Sequence, residues 1–245
     1  MADKSIIQIR HVDVNYGPVS VLKDIDLDIP KGKIVAFLGP SGSGKTTLIK
    51  AIMGMQTPNH GSVTLLDKKM PSFAVSSHIG YMAQNDALYE DLSGLDNLLF
   101  FSALYGLRGK TAQTRAAEIL KLVNLENSAL KKVRTYSGGM KRRLSLGIAL
   151  IHNPRIIILD EPTVGIDPVL RKVFWEEFIR LKHSDITIII TTHAMDEAYR
   201  CDRLALIREG RIIADDTPDG LMKESGTSSI EDAFLYYSED RGPAQ

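Results

Sequence analysis

Apolar and polar positions alternate through the first thirty residues. Ile7, Ile9, Val12 and Val14 have polar neighbours, and Ile25, Leu27 and Ile29 alternate with Asp24, Asp26 and Asp28. A period of two predicts strands with one buried face. After the turn Pro30-Lys31-Gly32-Lys33 the pattern changes to an unbroken apolar run, Ile34-Val35-Ala36-Phe37-Leu38. Solid runs recur at Ile156-Ile157-Ile158-Leu159 and at Ile186-Thr187-Ile188-Ile189-Ile190. Such runs fit strands of a parallel sheet covered on both faces. Shorter strands are predicted at 62–66 and 79–82, and a hairpin at 204–213 turning at Arg208-Glu209-Gly210-Arg211.

Between these runs the period lengthens. Residues 47–53, 141–151, 168–182 and 230–237 read as helices, with Pro168 in a first turn. From Leu88 to Val133 the pattern is helical, punctuated at Gly106 to Lys110. Leu95, Leu98, Leu99 and Ser102 are predicted to share one face, as are Ala116, Ile119, Leu120 and Val123. The expectation is an α/β chain with a parallel-sheet core, an antiparallel β subdomain and a helical insertion. In residue terms, 5–87 and 152–215 form the core with its β subdomain, 88–151 the helical subdomain and 216–245 a C-terminal extension. Residues 238–245 read as a frayed tail.

Composition narrows the classes. Apolar residues make up 44%, which is enough to build a core. Thirty Lys and Arg balance thirty Asp and Glu, so a general nucleic-acid role driven by phosphate neutralisation is not favoured. Cys201 is the single cysteine, which excludes a disulfide framework and a cysteine-based zinc site. The other histidines, His11, His60, His78, His152 and His183, show no ligand spacing. The N-terminus lacks the apolar stretch of a signal peptide, and no run reaches the ~18 apolar residues of a membrane helix. Work at a membrane would require a spanning part from another chain.

Three constellations carry chemistry. Gly39-Pro40-Ser41-Gly42-Ser43-Gly44-Lys45-Thr46, between a buried strand and a helix that includes Thr47, is a phosphate-loop pattern. Glycines let successive amides point inward, and the helix start adds positive potential. Lys45 supplies a full charge to the outer phosphates, and the Thr46 hydroxyl can ligate Mg²⁺. Asp160 and Glu161 end an apolar strand. Neighbours on a strand face opposite ways, so Asp160 suits a Mg²⁺ shell and Glu161 can orient an attacking water. In Tyr136-Ser137-Gly138-Gly139-Met140, Ser137 is a good N-cap, and two glycines bare the backbone at a helix start. Each has a plainer reading: a flexible loop, an exposed strand end, an ordinary capped helix.

The order of motifs gives a resemblance. Gly39 to Thr46, Gln84, Tyr-Ser-Gly-Gly-Met, Ile-Leu-Asp-Glu-Pro, Gly165-Ile166-Asp167-Pro168 and Thr192-His193 follow one another across residues 7 to 214. The chain resembles the ATP-binding subunit of an ABC transporter, a P-loop NTPase with a RecA-like parallel-sheet core. The resemblance implies ATP and Mg²⁺ as cofactors and a second ATP-binding subunit, expected to be a copy of the same chain. Each nucleotide would be sandwiched between the phosphate loop of one chain and the Ser-Gly-Gly of the other. It also implies an integral membrane permease subunit from another chain and a peripheral place on the cytoplasmic face of the membrane. By matching position, Tyr16 would stack on adenine and Gln84 would sense Mg²⁺ and meet the membrane subunit. Ser137, Gly138 and Gly139 would touch the partner's γ-phosphate, Asp167 would lie at the dimer interface, and His193 would hold the γ-phosphate. Mg²⁺ would be held by Thr46, Gln84 and Asp160; Glu161, His193 and Lys45 would be catalytic.

Tyr136 and Met140 depart from the family's usual leucine and glutamine, and this form is similar to bacterial exporters of the ABC-2 type. The basic residues Lys131, Lys132, Arg134, Lys141, Arg142 and Arg143 are expected to form a solvated face. The competing readings are another P-loop enzyme such as a GTPase or kinase, a non-hydrolysing ATP-gated module, and an ABC ATPase not tied to transport. No Asn-Lys pair of a guanine reader occurs, and no heptads run on as in the coiled-coil insertions of soluble ABC ATPases.

Overall fold

The structure is a computed structural model that describes residues 5–239. These residues divide into two compact units, 5–76 with 187–239, and 77–186.

The first unit opens with two long strands, β1 (Ser5–Tyr16) and β2 (Val19–Pro30), followed by β3 (Ile34–Leu38) and helix α1 (Lys45–Ile52). β4 (His60–Leu65), β5 (Lys68–Lys69) and the single turn α2 (Phe73–Ser76) complete its N-terminal part. β2, β1, β4 and β5 form an antiparallel sheet in that order. The alternation read from the sequence is what the sheet uses. Ile7, Ile9, Val12, Val14, Ile25 and Ile29 are wholly buried, while the aspartates between them face outward.

The second unit begins with β6 (Ile79–Met82), α3 (Gly94–Leu104) and α4 (Gly109–Leu122). Two 3₁₀ turns, Glu126–Ser128 and Val133–Thr135, lead to α5 (Gly138–Leu150), β7 (Ile156–Asp160) and α6 (Pro168–His183). β6 and β7 pair in parallel from Ile79↔Ile156 to Met82↔Leu159. Ser93 caps α3 by accepting from the Asp96 amide at 3.0 Å, so that helix starts later than the apolar pattern suggested. The buried face of α3 is Asn97, Leu98 and Ser102, with Leu95 and Leu99 only half-buried. The buried stripe of α4 and its C-cap, Ala116, Ile119, Leu120 and Val123, is as expected.

The chain returns to the first unit with β8 (Thr187–Thr192), α7 (Met195–Ala198), β9 (Arg203–Arg208), β10 (Arg211–Asp216), α8 (Pro218–Ser225) and α9 (Ile230–Glu239). β3 pairs in parallel with β8 on one side and with β9 on the other, and β10 closes the hairpin antiparallel to β9. Residues 34–38 are wholly buried, each large side chain contributing about 1.5–3 kcal/mol of transfer free energy. α8, which the apolar pattern did not announce, follows a Thr217 cap with Pro218 at its start. Ser238 and Glu239 belong to α9 rather than to a tail; 240–245 lie outside the described residues.

Candidate functional site

In the first unit the loop between β3 and α1 is shaped by its glycines. Gly42 and Gly44 have φ of 79° and 106°, a region closed to most side chains. Gly39 is needed for another reason: a Cβ there would lie 2.1 Å from the Ile207 carbonyl oxygen. Lys45 is almost wholly buried, and its ammonium donates to the carbonyls of Gly39 at 2.7 Å and Pro40 at 2.9 Å. The cation is thereby folded over the loop. Pro40, Ser41 and Gly42 are exposed, whereas Thr46 and Thr47, in the first turn of α1, are half-buried. The Ser43 hydroxyl is buried with no hydrogen-bond partner in the protein. A buried hydroxyl without a partner is costly, and an anionic ligand in the loop would relieve it. The loop therefore fits a polyphosphate.

Two more predicted residues belong to this unit. Tyr16 ends β1 and is 46% exposed, which leaves its ring available to a ligand. His193 follows β8 and is exposed. The bend that presents it is held by Thr192, whose hydroxyl donates to buried Glu197 at 2.9 Å and accepts from the Ala194 amide at 3.0 Å.

In the second unit, β7 delivers Asp160 and Glu161. Asp160 is 2% exposed; Glu161 is half-buried with φ of 49°, so the chain turns sharply at the second carboxylate. Gln84, two residues beyond β6, donates from Nε2 to Glu161 Oε2 at 3.1 Å. Two predicted site residues 77 positions apart are thus in contact.

The expectation of a solvated basic face fails at Arg142. It lies in the second turn of α5 and is 6% exposed. Nε donates to the Pro162 carbonyl at 3.1 Å, and Nη2 to those of Asp160 at 2.9 Å and Glu161 at 2.6 Å. Nη1 donates to the carbonyls of Ala83 at 2.8 Å and Gln84 at 3.0 Å and reaches Asp86 Oδ1 at 3.4 Å. Burial draws the guanidinium below its usual pKa; Asp86, and then Asp160 and Glu161, oppose that shift. The sequence does hold a signal for this burial. Arg142, Ser145, Leu146 and Ala149 follow the helical period of a buried stripe, and all four are buried. Arg143 is also more than solvated, donating to the carbonyls of Val123 and Asn124. Lys141 and Arg134 pair with Glu90 and Asp91 near the surface.

Ser137 caps α5, accepting from the Met140 amide at 3.3 Å, and Gly138 and Gly139 form its first turn rather than preceding it. Tyr136 is 6% exposed and donates to the Ser128 carbonyl at 2.7 Å. A Cβ on Gly94 would meet its hydroxyl at 2.3 Å, so tyrosine here requires glycine there. Asp167 caps α6, one carboxylate oxygen accepting from the amides of Val169 and Leu170, each at 3.0 Å. A cleft of about 200 Å³ lies between Gln84, Gly138, Arg142, Glu161 and Val164.

One histidine gains carboxylate neighbours through the sheet rather than through sequence spacing. His11 Nδ1 lies 2.9 Å from Asp24 Oδ1 and 3.1 Å from Asp26 Oδ2, and all three residues are exposed. The hydrogen bond to Asp24, then the charge of Asp26, raises the imidazole pKa. The pairing of β1 with β2 creates this group, which sequence spacing could not show.

Comparison with known proteins gives a consistent result. The family model described as ABC transporter matches residues 22–164. The chain is 41% identical to a Nod factor export ATP-binding protein I of Burkholderia orbicola, over 92% of this chain and 75% of that protein. It is 37% identical to the linearmycin resistance ATP-binding protein LnrL of Bacillus subtilis, over 94% of this chain and 78% of that one. Among solved structures it is similar to the dimeric post-hydrolysis state of an ATP-binding cassette bound to ADP and Pi. That match has a TM-score of 0.78 at 27% identity and covers 86% of this chain and 98% of the other.

Proposed function

This chain belongs to the ABC transporter family, and from that premise we propose a role for each residue of its site. The protein is an ATP-binding and ATP-hydrolysing subunit that works as a dimer. It powers transport through a membrane subunit supplied by another chain, at the cytoplasmic face of the membrane. Similarity to a Nod factor export protein and to a linearmycin resistance protein supports export as the direction.

The observation that carries this reading is the loop at Gly39 to Thr46, with its inward lysine and its buried, unpartnered Ser43 hydroxyl. Its amides and Lys45 bind the β- and γ-phosphates, and Tyr16 stacks on adenine. His193 holds the γ-phosphate. Glu161 aligns the attacking water and takes its proton, and Gln84 steadies the carboxylate that does so. Thr46, Gln84 and Asp160 offer hard oxygen donors of the kind Mg²⁺ selects. When bound, the ion neutralises charge on the phosphate oxygens. Ser137, Gly138 and Gly139 are assigned to the γ-phosphate of the partner's nucleotide, and Asp167 to the interface between copies. Functionally the chain is divided into a core with its β subdomain (5–87 and 152–215), a helical subdomain (88–151) and a C-terminal extension (216–245).

Because each chain supplies half of two sites, dimerisation tests the scheme. Ser137→Arg places a bulky cation at the start of α5. The variant is expected to bind ATP as a monomer with native affinity, yet to lose both turnover and the ATP-dependent dimer on sizing. A variant that still dimerises and turns over ATP at the native rate would remove the second chain from the mechanism.

A further inference from the structure

Six acceptors converge on one buried guanidinium, and they belong to the two segments that carry the proposed chemistry. Ala83, Gln84 and Asp86 lie on the segment after β6, whereas Asp160, Glu161 and Pro162 lie at the end of β7. The donor sits on a third element, α5, whose first turn is the Ser-Gly-Gly start. Ser145, one turn further along α5, donates to Asp86 Oδ1 at 2.6 Å and gives the fork a second anchor. A planar guanidinium has five N–H donors in fixed directions, so the acceptors it engages cannot shift independently of one another.

We propose that Arg142 is a positioning residue. It locks the Gln84 segment and the Glu161 turn to α5, so that the Gln84–Glu161 pair and the start of α5 move as one body. The proposal rests on the roles assigned above to Glu161 and Gln84. Three observations support it. The bonds to the Asp160 and Glu161 carbonyls fix the turn in which Glu161 takes a φ of 49°. The bond to the Gln84 carbonyl fixes the backbone from which its amide reaches Glu161 Oε2. The charge itself is compensated by Asp86 beside it, so burial of the cation is sustained by the same segment that it restrains. The hydrogen bonds described for Arg142 go to five backbone carbonyls and to Asp86, not to the carboxylate of Glu161. Its effect is therefore on how often Glu161 is in place rather than on how tightly ATP binds.

The test is Arg142→Lys, which keeps the charge and much of the length but replaces the fork with a point donor that cannot span both segments. KM for ATP is expected to stay within about twofold while kcat falls about tenfold or more, a split that marks a transition-state rather than a binding effect. Hydrogen exchange on the nucleotide-free protein reads the fork without catalysis. The amides of 82–87 and 160–165 should open together, faster in the variant by about tenfold, while those of 34–38 keep their native rates.

Native kcat with native exchange would overturn the proposal. So would a rise in KM at constant kcat, or loosening of α5 alone. If the lysine variant does not fold, Arg142→Gln, which buries no charge, is read by the same criteria; failure of both to fold would make Arg142 a core residue and overturn the positioning role. A native protein that hydrolyses no ATP would defeat the functional reading, and the exchange experiment would still decide whether the fork exists.

Discussion

The loop at Gly39–Thr46 and the cluster around Glu161 are built on opposite principles. The loop is local. Its shape comes from glycines at φ of 79° and 106°, and its cation bonds carbonyls five and six residues away. The cluster is assembled. Gln84, Arg142 and Glu161 come from three separate segments, and the bonds that join them span 19 to 77 positions. A local site survives so long as its own backbone keeps its conformation. An assembled one depends on packing throughout its unit, and here much of that dependence passes through one guanidinium.

The contrast can be broken most sharply at Glu161. Glu161→Gln retains an oxygen that can accept from Gln84 but removes the base, so turnover should fall by about 10²-fold or more. ATP binding should persist, and dimer should accumulate on sizing with ATP. Turnover at the native rate would show that the assembled cluster does not hold the water.

The next largest effect is expected in the loop. Lys45→Ala removes a charge-assisted donor worth ~1.5–3 kcal/mol. ATP affinity should then fall roughly 10- to 100-fold in a calorimetric titration. The substitution also removes two hydrogen bonds within the nucleotide-free loop, so melting should drop by a few degrees as well; unchanged affinity would remove the phosphate role.

Tyr136→Phe should have the smallest effect. It deletes one buried hydroxyl bonded to the Ser128 carbonyl at 2.7 Å, at a cost of ~1 kcal/mol. Melting should drop by about 2–4 °C with ATP affinity intact. A large loss of turnover would show that the Ser-Gly-Gly start depends on this hydroxyl more than on its own cap.

Much of this architecture could be read from the order of residues. Alternation placed β1 and β2, and solid apolar runs placed β3, β7 and β8, because burial on one face or on two leaves different periods. Ser137 and Pro168 announced helix starts, because a capping hydroxyl and a first-turn proline act over two or three residues. The position of Arg142 was harder to read. Six basic residues between Lys131 and Arg143 look alike as a charge run, and what separates one of them is a helical phase set by the start of α5 at Gly138. The pairing of Gly94 with Tyr136 and of His11 with Asp24 and Asp26 was not legible at all, since neither is local.

The sequence by itself determined the phosphate loop, the strand carboxylates, the Ser137 cap and the family, because each is encoded in neighbouring residues or in their order. Only the tertiary structure decided that Gln84 meets Glu161, that Arg142 is an internal fork rather than a surface cation, and that Tyr136 needs Gly94. Those contacts depend on where distant elements come to rest. That placement is set by the burial of the whole stripe on each helix and strand, a sum over many side chains that no single stretch contains.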